Sequence, residues 1–349
     1  MTTGVALLNF GEPAEPTRER VVDYLERIFM NNASLEGDTT REEARRRSRQ
    51  LAERRAPALI EEYEEIGGSP MHRQSRAQAD ALESALRARG YDVRSYVGRQ
   101  FTEPFMADAV ESMRADGVDR VVAIPDYPLC GPSTTVAALE ALADAVADAD
   151  WDVEVAEVTG WHRHPTYNRL RVDAIRDVAD EHDLDLTDED TALVFSAHGT
   201  PQHYLDQGSR YEQYVEEFCA VVAAELGVES YELGYQNHTN RDIEWTEPDV
   251  EDVVEGLDAE RVVVDPVSFM HEQSETLSEL DVELREEAES VGLEFYRVPV
   301  PHDDERFGGV LADVVEPFVA GFDPGYYNMR PCECRDREGT MCLNSTRRP

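Results

Sequence analysis

Two sets of residues in this chain have the types and spacing to do chemistry. The first lies just past buried apolar runs. Ala192-Leu-Val-Phe-Ser-Ala-His-Gly-Thr-Pro201 puts His198 immediately beyond a strand-like stretch, with a glycine after it that lets the backbone turn. A second apolar run, beginning at Val262, leads to His271, Glu272, Glu275 and Glu279 on what reads as a helix. The three glutamates stand at i, i+3 and i+7 and would form one acidic stripe along a helix face. Such groups suit proton transfer or the guiding of a divalent cation. In a chain this acidic such a stripe, taken alone, is usually a solvated helix face; the order strand, turn, helix shifts the reading toward the crevice.

The second set is sulfur. Cys332, Cys334 and Cys342 follow a Cys-x-Cys-x7-Cys spacing near the C-terminus, and Cys130 lies far upstream in Tyr127-Pro-Leu-Cys-Gly-Pro-Ser-Thr-Thr135. Four thiolates suit a [2Fe–2S] cluster or, less well, zinc. Spacing alone leaves a tail of surface thiols as the competing reading. Cys219, within Glu216-Glu-Phe-Cys-Ala-Val-Val222, falls on an apolar helix face and reads as core.

The elements that must position these groups alternate. Strands are expected at Val5–Asn9, Asp92–Val97, Arg120–Pro125, Asp152–Val158, Ala192–Ser196, Ser230–Tyr235, Arg261–Pro266 and Glu294–Val298, with amphipathic helices such as Ser75–Arg89 and Tyr211–Leu226 between them. This pattern predicts an α/β fold of two Rossmann-like lobes, each with a parallel four-stranded sheet flanked by helices and a cleft between the lobes. Two internal echoes fit a duplicated unit: Asp119-Arg-Val-Val-Ala-Ile-Pro125 with Glu260-Arg-Val-Val-Val-Asp-Pro266, and Gly11-Glu-Pro13 with Gly199-Thr-Pro201. Their unequal offsets place extra sequence in the first half, in the charged helical stretch Thr39–Glu65. The expected divisions are a first lobe over 1–157 with a lip and helical insertion at about 12–66, a second lobe over 158–302, a helix over 303–323 packing back on the first lobe, and a cysteine-bearing tail over 324–349. The tail has no core of its own and needs an anchor.

Composition bounds the setting. The chain has 349 residues, 41% hydrophobic, and a formal net charge of −41, with arginine as its only strongly basic residue type. Charge of this sign repels nucleic-acid phosphates and anionic lipid. It is spread along the whole chain, and self-repulsion on this scale is screened in concentrated salt, so the sequence reads as adapted to a salt-rich cytoplasm. No apolar run approaches a membrane span. The N-terminus lacks the basic region of a signal peptide, and five cysteines with three crowded together do not resemble a disulfide framework.

The motifs in combination resemble those of ferrochelatases, porphyrin iron chelatases. Ser196-Ala-His-Gly-Thr-Pro201 and the segment from Pro266 to Asp281 are similar to that family's two signature segments. Leu7-Leu-Asn-Phe-Gly-Glu-Pro13 resembles its opening strand and glycine turn, and Tyr63-Glu-Glu-Ile-Gly-Gly-Ser-Pro70 resembles its Gly-Gly-x-Ser-Pro element, one residue short. Tyr127–Thr135, Trp161-His-Arg-His-Pro165 and Tyr235–Pro248 also match, so the likeness runs from residue 4 to about 320.

The resemblance implies insertion of Fe2+ into a porphyrin, protoporphyrin IX or coproporphyrin III, with release of two protons, in haem biosynthesis. It implies His198 as proton acceptor and Glu275 as the facing carboxylate, both meeting the incoming Fe2+, with Glu272 and Glu279 extending an acidic path. Trp245, Phe10, Phe29 and Met30 are candidates for the apolar walls, and Arg99 for a porphyrin carboxylate. Family members with a [2Fe–2S] cluster use three C-terminal cysteines and one internal one, which here correspond to Cys332, Cys334, Cys342 and Cys130. Two departures stand out. Gln273 occupies a position where many relatives have histidine, so a proton relay through it is doubtful. His271 lies nearby but on a helix would point elsewhere. The competing readings are a sirohydrochlorin-type iron or cobalt chelatase and a non-enzymatic tetrapyrrole or iron carrier. Expected partners are porphyrin and iron, with a weak peripheral membrane contact or a downstream haem enzyme open, and a monomer or homodimer.

Overall fold

Each lobe is built around a parallel sheet, in a computed structural model that describes residues 2–31, 40–237, 243–322, 329–335 and 337–345. The first holds β1 (Thr3–Asn9), β2 (Val93–Arg99), β3 (Arg120–Pro125) and β4 (Glu154–Thr159) in the order β2-β1-β3-β4. The second holds β5 (Thr191–His198), β6 (Glu232–Gln236), β7 (Arg261–Pro266) and β8 (Glu294–Arg297) in the order β6-β5-β7-β8. The two orders correspond strand for strand, and the sequence echoes fall on equivalent strands: β3 with β7, and the turns after β1 and β5. Every residue of β1 is buried, as a central parallel strand covered on both faces requires.

The first sheet is larger than expected. The tail contributes β9 (Arg330–Pro331) and β10 (Thr340–Cys342), and β10 adds in parallel to the edge of β4, pairing Met341 with Val158 and Cys342 with Thr159. The tail is therefore tied down by main-chain pairing. A buried ion pair adds to it: Arg335 Nε donates to Glu157 Oε2 at 2.8 Å. At Gly160, with φ +63°, a Cβ would lie 2.4 Å from the Cys342 sulfur, so the strand end accepts the tail only without a side chain there.

The insertion is a helical hairpin, α1 (Arg18–Asn31) and α2 (Arg41–Glu65). Thr40 and Glu43 form a reciprocal cap at the start of α2. Its buried face carries Ala44, Ser48, Ala52, Ala56, Leu59 and Tyr63, spaced by three or four, against Val21, Val22, Tyr24 and Leu25 of α1. The remaining helices, α3 (Met71–Ala88), α4 (Met106–Ala115), α5 (Ala137–Asp148), α6 (Pro165–Glu181), α7 (Gln202–Asp206), α8 (Tyr211–Leu226), α9 (Val250–Glu255), α10 (Arg285–Ser290) and α11 (Phe307–Ala320), cover the sheets. Cys219 is fully buried among apolar neighbours on α8. One apolar core joins both lobes, running from Val5 and Leu7 through Trp161 and Tyr167 to Phe195 and Phe307.

Candidate active site

The carboxyl ends of both sheets open onto one cleft, of about 240 Å³, where open parallel sheets place their ligands. His198 is the last residue of β5. Its backbone is clamped on both sides: its N–H donates to Ser268 Oγ at 2.8 Å and its carbonyl accepts from Tyr211 Oη at 2.8 Å. Its Nδ1 lies 2.6 Å from the Gly199 carbonyl. A carbonyl only accepts, so Nδ1 carries a proton and Nε2 is the nitrogen left to take or release one. A Cβ at Gly199 would lie 1.8 Å from Asn237 Oδ1 and 2.9 Å from the Gln236 carbonyl, so the turn that ends β5 has room for glycine alone.

In the same cleft, Glu275 and Glu279 start a π-helix, Glu275–Leu284, that runs on into α10. The wider π turn, bonded i→i+5, brings positions four apart onto one face. Both glutamates line the cleft. Gln236, itself held by Ser196, donates to the Glu275 carbonyl at 2.9 Å and to Glu279 Oε2 at 3.0 Å. Burial, reinforced by the Glu275 charge, pushes the Glu279 carboxyl up to about 8. Gln273 Nε2 donates to Glu275 Oε2.

Three expected site residues are placed elsewhere. Glu272 precedes the helix and does not line the cleft: it accepts from Arg297 at 3.0 Å, from the Val300 N–H at 2.9 Å and from Thr276 Oγ1 at 2.7 Å. The acidic stripe therefore begins at Glu275. Arg99 is buried behind the cleft, donating to the Glu103 carbonyl at 2.8 Å and to Ser75 Oγ at 3.0 Å, and burial lowers its pKa to about 10. It binds protein oxygens, not a ligand. Met30 lies outside the lining, whereas Phe10, Phe29 and Trp245 are part of it, with Leu25 and Ile28. Phe10 packs edge-on against Phe101 at 4.5 Å between ring centres. His271 is not helical: it sits in the turn after β7 with Nε2 3.0 Å from Asp126 Oδ2 of the other lobe, both buried.

Glu12 was not foreseen. It follows β1 as Thr200 follows β5, and it is buried where the lobes meet, accepting from Tyr63 Oη at 3.0 Å, Ser274 Oγ at 2.5 Å and Ser69 Oγ. Burial and the Glu275 charge raise its carboxyl to about 7. Its only sequence signal was its place at the carboxyl end of a strand. Tyr24, Tyr63 and Tyr127 are pushed upward by burial first and by nearby carboxylates second, and so stay protonated.

Among the described residues no three His, Cys, Asp or Glu side chains converge as a single metal ion requires. The cysteines make a looser set. Cys130, just past β3, and tail residues Cys332 and Cys342 are buried. Cys332 neighbours Cys334 and Cys342, and Cys334 neighbours Cys130. Hydrogen bonds from its neighbours lower the Cys332 thiol, while Cys334 and Cys342 are raised by hydrogen bonding to neighbouring thiols and by burial.

Paired parallel sheets with a cleft at their carboxyl ends define the chelatase-type fold. The chain superposes on SirB from Bacillus subtilis, solved with Fe3+, with a TM-score of 0.53 over 92% of this chain and 97% of that one; at 9% identity the likeness is one of fold. The ferrochelatase family model matches residues 2–318. A ferrochelatase from a Picosynechococcus is 34% identical over 326 residues, covering 89% of this chain and 81% of the relative, and one from a Synechococcus is 33% identical over 337 residues, covering 93% and 96%. The chain belongs to the ferrochelatase family, enzymes that insert ferrous iron into a porphyrin in haem biosynthesis.

Proposed function

We propose that this cleft metallates a porphyrin with His198 and Glu275 as the working pair. The observation that carries it is their convergence, from β5 and from the π-helix, on one cleft whose lining also supplies the aromatic rings of Phe10, Phe29 and Trp245. Metallation requires a proton acceptor for the pyrrole N–H groups, carboxylates to strip water from Fe2+, and a slot that holds and bends the ring. The Nε2 lone pair of His198 accepts a pyrrole proton. Glu275, with Glu279 behind it, receives the cation and a second proton. Phe10, Phe29 and Trp245 hold the macrocycle. Among the described cleft residues Arg55 is the one strongly basic group and it pairs with Glu62 at 2.7 Å, so porphyrin carboxylates project toward solvent or hydroxyls such as Ser133 and Thr134.

The test is anaerobic incubation in molar KCl with Fe2+ and either protoporphyrin IX or coproporphyrin III, following the change from free-base to metalloporphyrin absorption. Turnover with one porphyrin supports the reading and selects the substrate. Stoichiometric retention without turnover favours a carrier, and turnover with sirohydrochlorin alone favours the other chelatase class.

We further propose a [2Fe–2S] cluster held by Cys130, Cys332, Cys334 and Cys342. Support comes from the donor set: four neighbouring thiols, mostly buried, at the seam between the tail and the first sheet, with Cys219 apart. Bound there, the group would supply one-electron chemistry and cross-link the tail to the lobe. Iron and acid-labile sulfide should be near two each per chain and fall in Cys334→Ser; a metal-free tail with unchanged thermal stability would discard the assignment. Halophily and a cytoplasmic setting belong to the same proposal and rest on composition. Among the described residues no helix is long and apolar enough to cross a membrane.

A further inference from the structure

Gln273 cannot change charge, so the catalytic carboxylate needs another way to exchange protons with water. We infer that Glu12 provides it, as the middle of a proton wire running Glu275–Ser274–Glu12–Ser69 from the cleft to the Gly67-Gly68-Ser69 turn. This rests on the metallation proposed above and gives that site a route to water.

The geometry is continuous. Ser274 Oγ lies 3.4 Å from Glu275 Oε2 and 2.5 Å from Glu12 Oε1, so one hydroxyl touches both carboxyls. Ser69 Oγ donates to the other Glu12 oxygen, and Ser69 is half-buried, at the edge of solvent. Tyr63 Oη and the Ser274 N–H hold Glu12 Oε1 at 3.0 and 3.3 Å. The transfer balances without any redox partner. Protonated Glu275 gives its proton to Ser274 Oγ as the Ser274 hydroxyl proton passes to the Glu12 carboxylate. Glu12 then returns a proton to water through the Ser69 hydroxyl, once that hydroxyl has turned.

The groups facing Glu12 leave it as the exchanging member. Tyr24 of α1 and Tyr63 of α2 are neutral phenols. His72, at the start of α3, meets the Glu12 backbone carbonyl and Thr102 Oγ1, and burial lowers it to about 4, so it too is neutral. Burial first, and the facing Glu275 charge second, raise Glu12 to about 7, while its hydrogen bonds to Ser274 and Ser69 supply the path. Glu12 does not line the cleft, so it acts through Glu275 as a positioning and relay residue.

The experiment is kcat and porphyrin KM against pH for the full chain and for Glu12→Gln, Glu12→Asp, Ser274→Ala and the Glu12→Gln/Ser274→Ala pair. Loss of the wire is expected to lower kcat about tenfold or more near pH 7 in Glu12→Gln and Ser274→Ala, with KM unchanged. The ionisation near pH 7 should vanish from the kcat profile of Glu12→Gln and persist in Glu12→Asp. The double variant should be no slower than either single one, because both cut the same wire. Unchanged kcat and pH profile in Glu12→Gln, or multiplying losses in the pair, would overturn the relay. Should Glu12→Gln not fold, Ser274→Ala and the half-exposed Ser69→Ala decide it: parallel losses support the wire, and full rates in both overturn it. A wild type without turnover on any porphyrin sinks the metallation reading and the wire with it. Turnover abolished by His198→Ala but untouched by Glu12→Gln sinks the wire alone.

Discussion

The two lobes bring different leading groups to a cleft of mixed lining. The first lobe presents Phe10, Leu25, Ile28 and Phe29 on a strand end and the α1 helix, shapes that bind by area. The second lobe presents His198, Glu275 and Glu279 on strand ends and a π-helix, groups that act by charge. One wall is soft and stable to build. The other holds like charges together in a dry place, which destabilises the fold. Trp245 apart, the difference assigns most of the binding area to the first lobe and the chemistry to the second, and each prediction below either breaks that division or measures it.

The largest effects belong to the charged wall. His198→Ala and Glu275→Gln should each lower kcat by about 100- to 10,000-fold, the range for removing a proton-transfer group, while porphyrin binding by fluorescence titration stays within about twofold, since each exchange removes little apolar area. Lost binding together with lost turnover would show that the walls are not separable. Next comes the strain in the same wall. Glu279 is raised from 4.5 to about 8, so its contribution to stability is fully present below about pH 4.5 and is lost as pH rises through about 8. Glu279→Gln has no proton to lose. It should match the parent near pH 4.5 and exceed it at pH 8 by about 4 kcal/mol, read as thermal midpoints across that range in molar KCl. Equal midpoints at every pH would mean that water relieves the carboxyl.

Much of this was legible in the sequence. The strands were located to within a residue or two because short apolar runs bounded by turns have few other ways to bury themselves, and β3 and β7 fall on the expected bounds. His198 stood out because a polar residue ended such a run. What escaped depended on three dimensions. Glu272 and Glu275 share a helix face only if the helix includes both, and it begins after Glu272. The tail strands are two and three residues long, too short to show a period, and only pairing with β4 defines them. Arg99 shows the same limit from the other side: cation chemistry was readable, but the partners that claimed it come from α3 and from a turn.

That reassignment is testable on the boundary between the walls. Arg99→Met should leave the KM for porphyrin unchanged and cost about 2 kcal/mol of stability, because the Glu103 carbonyl and Ser75 Oγ lose a charged donor in a buried place. A selective loss of porphyrin affinity, in protein that melts normally, would return Arg99 to the substrate site.

The smallest expected effect draws the edge of the apolar wall. Phe29 and Met30 are neighbours on α1, yet a helix turns about 100° between them and only Phe29 faces the cleft. Phe29→Ala removes apolar area that the bound ring would cover, and the porphyrin dissociation constant should rise about tenfold. Met30→Ala should leave it within about twofold, the size of change expected away from the contact. kcat at saturating porphyrin should be near normal in both, since neither side chain reaches a proton or the metal. Equal weakening by the two variants would mean that the lip closes differently around a bound ring than in the cleft described here. A fall in kcat confined to Phe29→Ala would mean that this wall helps to bend the macrocycle as well as hold it, and the division between binding and chemistry would run through α1 and not between the lobes.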